Sequence, residues 1–411
     1  MTSFWNNLPQ PFFALAPMEA VTDVVFRHVV KQAGTPDVFF TEFANATGWV
    51  HAGDKAIAGR LIKTDDEHPL VAQIWGGEPG DMEQFAAHCT KLGFDGIDIN
   101  MGCPAKSAIK SGGAALIRRP DVAIAAIAAA KTAGLPVSVK TRLGYTHVDE
   151  WREWLTTILR QDIVNLTIHL RTKKEMSKVP AHFELIDDII KLRDEIAPQT
   201  LLTINGDIRD RAHGEEFARQ HPGLNGVMIG RGIFSDPFCF RASRAVSQKK
   251  SGQLYVGPGL FSDDTREMGN KYAKLETVEH SRGADVSAER SRSISSGDIS
   301  EKSTPVQERG AGDADFADDA RGVSETTRKE YSEEVKIPIT NHKQELIKLL
   351  NYHLDLFDHY QPTLGRPFET LKRFFKIYIR DFDGAKELRD QLMHTKNTSE
   401  VRQILEKIQC L

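Results

Sequence analysis

Gly96-Ile97-Asp98-Ile99-Asn100-Met101-Gly102-Cys103-Pro104 is a short apolar run that ends on polar and turn-forming residues. The run proper spans 96–101, and seven others resemble it: 12–18, 38–43, 70–75, 137–141, 163–169, 201–205 and 226–230. Between most of them lie amphipathic helical stretches opened by Thr22-Asp23, Asp81, Pro120-Asp121 and Asp149-Glu150, residue types suited to a helix N-terminus. Short apolar runs alternating with helices read as parallel strands joined by crossover helices. Eight strand–helix units in about 230 residues predict an α/β fold, a (β/α)8 TIM barrel near its usual size. A doubly wound sheet usually stops at about five to seven strands. No G-x-G-x-x-G follows a strand here, and there is no Walker loop.

Composition shifts twice along the chain. From about residue 242 to 336 it turns polar, with runs such as Ser291-Arg292-Ser293-Ile294-Ser295-Ser296 and no Trp. Such a segment buries too little apolar surface to offset its chain entropy, so most of it is expected to be a disordered insert. From 337 to 411 helical periodicity returns. Leu346, Leu349, Leu350, His353 and Leu354 share one face, Leu371, Phe374, Phe375 and Tyr378 a second, and Leu388, Leu392 and Met393 a third. Val401, Ile404, Leu405 and Ile408 give a fourth. The expected division is a barrel at 1–241, a polar insert at 242–336 and a small helical domain at 337–411.

The chain has 411 residues, with 53 Lys and Arg against 57 Asp and Glu, a formal net charge of −4. That balance excludes a strongly basic polyanion-binding protein but leaves room for a local basic patch. Hydrophobic residues make up 40% and charged residues 27%, and no stretch approaches the roughly 20 unbroken apolar residues of a membrane span. Residues 1–11 carry neither the basic stretch nor the apolar core of a secretory signal. The four cysteines, 89, 103, 239 and 410, are too scattered for a disulfide framework or a zinc module, so no metal is expected. A reducing, cytoplasmic setting is the simplest expectation.

In a TIM barrel the carboxyl ends of the strands feed the active site. Here those ends carry Pro17-Met18-Glu19, Thr41-Glu42, Gln73, Asn100 to Pro104, Lys140-Thr141-Arg142, His169 with Arg171, Asn205-Gly206-Asp207 and Gly230-Arg231-Gly232. The last two stand after strands seven and eight, the usual phosphate position. Their glycines let backbone N–H groups approach phosphate oxygens and Arg231 adds charge. Either glycine turn alone would read as a plain βα connection; the pair favours phosphate. Lys140 and His169 can both donate to an anionic ring system such as a reduced flavin, with Gln73 on the ring's other polar edge. A Lys at this place also suits a Schiff-base nucleophile or an ion pair, and a lone His is more often structural. Cys103 sits in a Gly-Cys-Pro turn just past a strand, where its thiol is presented over a ligand. With an ordinary pKa of about 8.5 it is mostly protonated at neutral pH and can act as an acid. The other cysteines fit buried small hydrophobes.

These motifs resemble the tRNA-dihydrouridine synthases. The likeness is carried by Ala16-Pro17-Met18-Glu19-Ala20-Val21-Thr22-Asp23, Gln73-Ile74-Trp75-Gly76, Asp98-Ile99-Asn100-Met101-Gly102-Cys103-Pro104, Val139-Lys140-Thr141-Arg142, Asn205-Gly206-Asp207 and Ile229-Gly230-Arg231-Gly232. It runs from residue 12 to about 240 and resumes in the helical tail. The resemblance implies a barrel holding FMN and a helical domain that helps grip tRNA. NADPH or NADH would reduce the flavin, the flavin would pass hydride to C6 of a uridine, and Cys103 would protonate C5. Pro17, Met18, Glu19, Gln73, Lys140, His169, Asn205, Gly206, Asp207, Gly230 and Arg231 would hold FMN. Asn100, Lys106 and Arg171 would face the substrate. Lys110, Arg118 and Arg119 stand near enough in sequence to meet phosphates, as do Lys372, Arg373, Lys376 and Arg380 in the tail; each group also reads as a solvated helix face. One departure is His169-Leu170-Arg171-Thr172, where the family usually has His-Gly-Arg-Thr. The extra bulk of Leu170 is expected to narrow the phosphate side or shift His169.

Two other readings remain open. One is an FMN barrel acting on a free small pyrimidine or enoate. The other is an RNA-binding module with a dead site.

Overall fold

In the computed structural model the described residues are 3–242 and 339–409. The expected insert at 242–336 lies, apart from its first residue, outside them.

The sheet runs β1 (Phe12–Leu15), β2 (Phe39–Phe40), β3 (Ala44–Asn45), β4 (Leu70–Trp75), β5 (Gly96–Asn100), β6 (Val137–Arg142), β7 (Asn165–His169), β8 (Leu201–Asn205) and β9 (Gly226–Ile229). Every pairing is parallel, in the order β1-β9-β8-β7-β6-β5-β4-β2, with β3 also on β4. A parallel bridge from Ala14 to Val38 brings the two ends together, so the sheet is a nearly closed barrel. The helices between strands are α1 (Val24–Ala33), α2 (Ala46–Ala52), α3 (Pro79–Lys91), α4 (Pro120–Lys131), α5 (Trp151–Leu159), α6 (Ile186–Ile196), α7 (Arg211–Gln220) and α8 (Gly232–Ser235).

The second barrel strand departs from the expected run at 38–43. It is two fragments, β2 and β3, with Thr41 and Glu42 in the gap. The Thr41 hydroxyl causes the break: it donates to Glu42 O at 2.8 Å and accepts from Gln73 N at 3.0 Å, so a side chain takes a ladder position that backbone would hold.

Alternation along each strand sorts side chains to the two faces of the wall. Phe13 and Leu15 join Ala72, Ile74, Ile97, Ile99, Val137 and Val139 in the large core packed under the helices. Phe12, Ala14, Ala16, Phe40, Val71 and Met228 form a second, inner cluster, which Trp5 covers at the amino-terminal end of the barrel. Apolar filling therefore occupies the side of β1, β2 and β9. Apart from Val71 and Leu201, the inward positions of β4 to β8 are polar instead: Gln73, Asp98, Asn100, Ser138, Lys140, Asn165, Thr167 and Thr203.

The chain ends in α9 (Ile339–Leu364), α10 (Glu369–Lys372), α11 (Phe375–Tyr378), α12 (Ala385–Met393) and α13 (Thr398–Gln409). These helices share the outer core with the barrel through Leu346, Leu350, Leu354, Phe374 and Tyr378. The Phe26 ring of α1 lies 4.9 Å from Phe374 and 6.1 Å from His353. The second tail helix, expected as one element, is two. Phe374 N bonds Leu371 O at 3.0 Å and Ile377 N bonds Phe374 O at 2.9 Å. These three-residue steps tighten the chain at the junction and place Phe374 on Phe26. The basic stripe is split as well. Arg373 and Lys376 are exposed, Lys372 pairs with Glu369 at 2.9 Å, and Arg380 donates to the carbonyls of Phe234 and Ser235. Among the described residues no helix is long and apolar enough to cross a membrane.

Candidate active site

The polar half of the interior gathers at the carboxyl-terminal rim. Register sets Gln73 beside Asp98, Asn100 beside Lys140, Arg142 beside His169, and His169 beside Asn205. These side chains are thus successive rungs of one wall.

The first group shapes the Cys103 turn. Asn100 Oδ1 accepts from Gly102 N at 3.1 Å and Cys103 N at 2.9 Å. Arg142 Nε donates to Gly102 O at 2.7 Å, and its Nη1 donates to Thr172 O at 3.1 Å and Met176 O at 2.9 Å. That guanidinium ties the turn to the loop after β7. Gly113, at φ +56°, closes over the turn from the other side: a Cβ there would come within 2.9 Å of the Cys103 carbonyl oxygen, which already accepts from Ala114 N at 3.0 Å. Cys103 is half-buried. Burial pushes its thiol pKa up, against the pull of the nearby Arg142, so the sulfur keeps its proton at neutral pH.

The second group is cationic. Lys140 Nζ donates to Asn205 Oδ1 at 3.2 Å, and Asn205 Nδ2 donates to Met228 O at 2.8 Å. Burial, then Arg142, pulls the Lys140 ammonium down to about 8. Burial, then Arg142 and Lys140, holds the His169 pKa well below the ordinary 6.5. Arg171 Nη1 lies 3.0 Å from His169 Nε2. A guanidinium only donates, so Nε2 is the unprotonated nitrogen and the ring proton sits on Nδ1. Nitrogen-15 NMR at pH 6 is expected to show that neutral tautomer. The sign follows: the folded protein resists protonating this ring, so its stability contribution is present above pH 6.5 and is lost as pH falls further. An imidazolium signal at pH 6 contradicts the assignment.

Arg171 also donates to Val179 O at 2.6 Å and pairs with Asp207. Burial pushes the Asp207 carboxyl up, but the Arg171 hydrogen bond and the Ala181 N–H, 2.9 Å away, outweigh it and hold it low. Arg231 reaches the same carboxylate at 3.3 Å. Gly206 has φ +119°, a conformation that favours glycine, and a Cβ there would stand 3.1 Å from His169 Cδ2.

A third group lies at the rim near β1 and β2. Arg366, in the connection from α9 to α10, pairs with Glu42 and, at 3.1 Å, with Asp23. Asp23 also caps α1 through Phe26 N at 2.9 Å. Glu42 is fully buried, and its Oε1 has no partner.

The fold therefore brings Gln73 to Asn100, Lys140 to Asn205, and His169 to Arg171, Asp207 and Arg231. Gly206 and Gly230 follow the same strand ends. Pro17 and Met18 are half-buried, the latter with its N–H bonded to the Thr22 hydroxyl at 3.0 Å. Glu19 is not drawn into the cationic group; it is exposed and paired with Arg60. Lys106 is exposed beyond the Cys103 turn. Arg171, expected on the substrate side, is 2% exposed with its guanidinium committed inside the protein. Leu170 is fully buried in the core under the helices, so its bulk is taken up there. The sequence marks Glu42 and Arg142 only as strand-end residues and gives no site role to Asp98, Ser138 or Arg366. Asp98 and Asn100 alternate with Ile97 and Ile99, a signal that marks both as facing inward.

Residues 14–281 match the family model described as dihydrouridine synthase (Dus). The chain belongs to the dihydrouridine synthase family. It is 46% identical over 406 residues to the probable tRNA-dihydrouridine synthase 2 of Bacillus subtilis (strain 168), covering 98% of this chain and 96% of that protein. It is 43% identical over 409 residues to the probable tRNA-dihydrouridine synthase of Staphylococcus aureus (strain Mu50 / ATCC 700699), covering 99% and 96%. Among solved structures, an old yellow enzyme homologue from Zymomonas mobilis aligns with a TM-score of 0.37 and 12% identity, over 55% of this chain and 86% of that one. Family membership leaves the roles of individual residues to the geometry above. Among the described residues, no three or more His, Cys, Asp or Glu side chains converge as a metal site.

Proposed function

We propose that this chain is an FMN-dependent tRNA-dihydrouridine synthase in which residues 1–241 are catalytic and the helices of 337–411 help hold the tRNA. The Cys103 turn carries this reading: a protonated thiol held at the barrel rim beside the Lys140 and His169 cluster. The donor set also fits FMN. Lys140 is a buried cation beside a second cation, Arg142, and a bound anion would offset that charge. His169 offers Nδ1–H, Arg231 offers charge, and Gly206 and Gly230 leave backbone accessible for a phosphate. Pro17, Met18 and Gln73 would line the ring, with Asp207 holding Arg231 and Glu19 holding Arg60.

FMN held by these residues, once reduced by NADPH or NADH, would supply hydride for C6 of the uracil. The C4 carbonyl polarises C5=C6, so negative charge gathers on C5, and the Cys103 thiol gives its proton there. Arg142 faces the thiolate left behind. Asn100 spends one Nδ2 hydrogen on Gln73 and keeps the other for a uracil carbonyl. A stacked uridine cannot reach the barrel interior, so it must be flipped out of the tRNA. Lys106, Lys110, Arg118 and Arg119 on the barrel, and Arg373 and Lys376 on the tail, would meet phosphates.

Purified protein with NADPH and unmodified tRNA transcript is expected to give dihydrouridine, read by mass spectrometry of nucleosides. Reduction of free uracil or an enoate but not of tRNA would favour the small-molecule reading. A colourless protein that binds tRNA without turnover would favour the inactive RNA-binding module.

A further inference from the structure

Asp98 begins a chain of hydrogen bonds that ends at the Cys103 turn. Its carboxylate accepts from Ser138 Oγ at 2.6 Å and from Gln73 Nε2 at 2.7 Å. Gln73 Oε1 then accepts from Asn100 Nδ2 at 2.9 Å. Asn100 Oδ1 accepts from Gly102 N and Cys103 N at 3.1 and 2.9 Å. Asp98 and Gln73 are fully buried and Asn100 is 6% exposed, so water does not substitute for these partners.

The two ends of the chain are chemically fixed. An ionised carboxylate only accepts, and a backbone N–H only donates. Between them lie two amides whose oxygen and nitrogen ends are otherwise interchangeable. The carboxylate forces Gln73 to turn its nitrogen toward Asp98 and its oxygen toward Asn100. Asn100 must then turn its nitrogen toward Gln73 and its oxygen toward the loop. With an amide at position 98 in place of the carboxylate, Gln73 can meet either end of it and is free to reverse. Its nitrogen would then oppose the Asn100 nitrogen, and reversing Asn100 to match would set an NH2 against the Gly102 and Cys103 N–H groups.

We infer that Asp98 is a positioning residue that fixes the amide polarity of Gln73 and Asn100 and so holds the Cys103 turn in place. Asp98 makes no hydrogen bond to the thiol or to Lys140, although Lys140 is near enough to attract its charge. It acts through direction. Burial raises its pKa to about 6, against the bonds from Ser138 and Gln73, so the charged, accept-only form prevails at neutral pH.

Alkylation of Cys103, followed by mass spectrometry of its peptide, reads the turn without flavin or tRNA. Asp98→Asn is expected to raise the Cys103 labelling rate about three- to tenfold at pH 7.5, as the turn loosens. Asn100→Asp alone puts two carboxylates at the ends of one Gln73 amide and is expected to label faster as well. The double variant D98N/N100D moves the acceptor to the loop end. Gln73 can then reverse, with its nitrogen to position 100 and its oxygen to position 98, and every bond is restored. Its labelling is expected within about twofold of wild type. Ser138→Ala keeps the carboxylate and the amide chain and is expected to change labelling less than twofold.

Wild-type labelling in Asp98→Asn overturns the inference. So does a double variant no slower than the single, or a Ser138→Ala effect as large as that of Asp98→Asn, since either would place the cause in packing. If Asp98→Asn does not fold, D98N/N100D decides: a folded, slowly labelled protein supports the relay and an unfolded one overturns it. The link to catalysis rests on the proposed role of Cys103. Faster labelling with undiminished dihydrouridine formation would remove that role and leave the relay standing.

Discussion

Cys103→Ala is expected to lower dihydrouridine formation on tRNA by about 10²- to 10⁴-fold, the range in which a positioned acid contributes, while the protein still purifies with its flavin. The two effects separate because the anchoring groups lie elsewhere. Lys140 bonds to Asn205 on β8, and Arg171 links His169 to Asp207, which also pairs with Arg231, whereas the Cys103 turn is held by Asn100 and Arg142. Losing the sulfur leaves the cationic cluster intact. Burial keeps the thiol protonated beyond its ordinary range, so the wild-type rate should stay level through neutral pH and fall as pH rises past that raised value. The alanine variant should lack this limb, since no thiol remains to titrate. Flavin absorbance, single-turnover product formation and a pH profile of both proteins make the comparison. Product formation within threefold of wild type would remove Cys103 from the chemistry.

The barrel was legible because strand and helix periods differ and repeat. Eight apolar runs, most of them separated by helices with recognisable openers such as Thr22-Asp23 and Pro120-Asp121, left little choice of architecture, and the strand ends marked the rim. Within that frame the local departures were illegible. The break in the second strand depends on the Thr41 hydroxyl meeting Gln73 N, a contact across 32 residues. The split of the second tail helix depends on where Phe374 finds Phe26. The apolar faces of the tail helices were readable as faces, but not that they would share one core with α1. At the site, the sequence supplied the residue types and the structure supplied their commitments. Arg171 looked like a free guanidinium beside a strand end, yet the fold spends it on His169, Val179 and Asp207. Asp98 looked like one letter of a motif, yet it directs two amides.

Arg366→Ala is expected to destabilise the protein by about 3–5 kcal/mol at pH 8, the usual cost of stripping one partner from a buried ion pair, and to abolish activity on tRNA. Glu42 is separated from Arg366 by 324 residues in sequence, so this pair joins the tail to the barrel rim. Burial, opposed by Arg366 and reinforced by Asp23 and Glu19, already raises the Glu42 carboxyl to about 7. The sign follows from linkage. A carboxyl whose folded pKa stands above its ordinary 4.5 contributes stability below that value and loses it as pH rises through about 7. Removing Arg366 takes away the attraction that favours the charged form, so the Glu42 pKa moves higher and the carboxyl stays neutral further up the scale. The variant should therefore lose less at pH 6, where Glu42 holds a proton in either protein, than at pH 8, where wild type has a paired carboxylate. Urea unfolding of both proteins at the two pH values measures the difference. Equal losses at pH 6 and pH 8 would mean that Arg366 acts by packing alone. Because Asp23 caps α1 and Glu42 lies between β2 and β3, loosening Arg366 frees the tail from this rim. Flavin retention alongside lost tRNA turnover is the signature expected, since the cationic cluster sits across the barrel on β6 to β9.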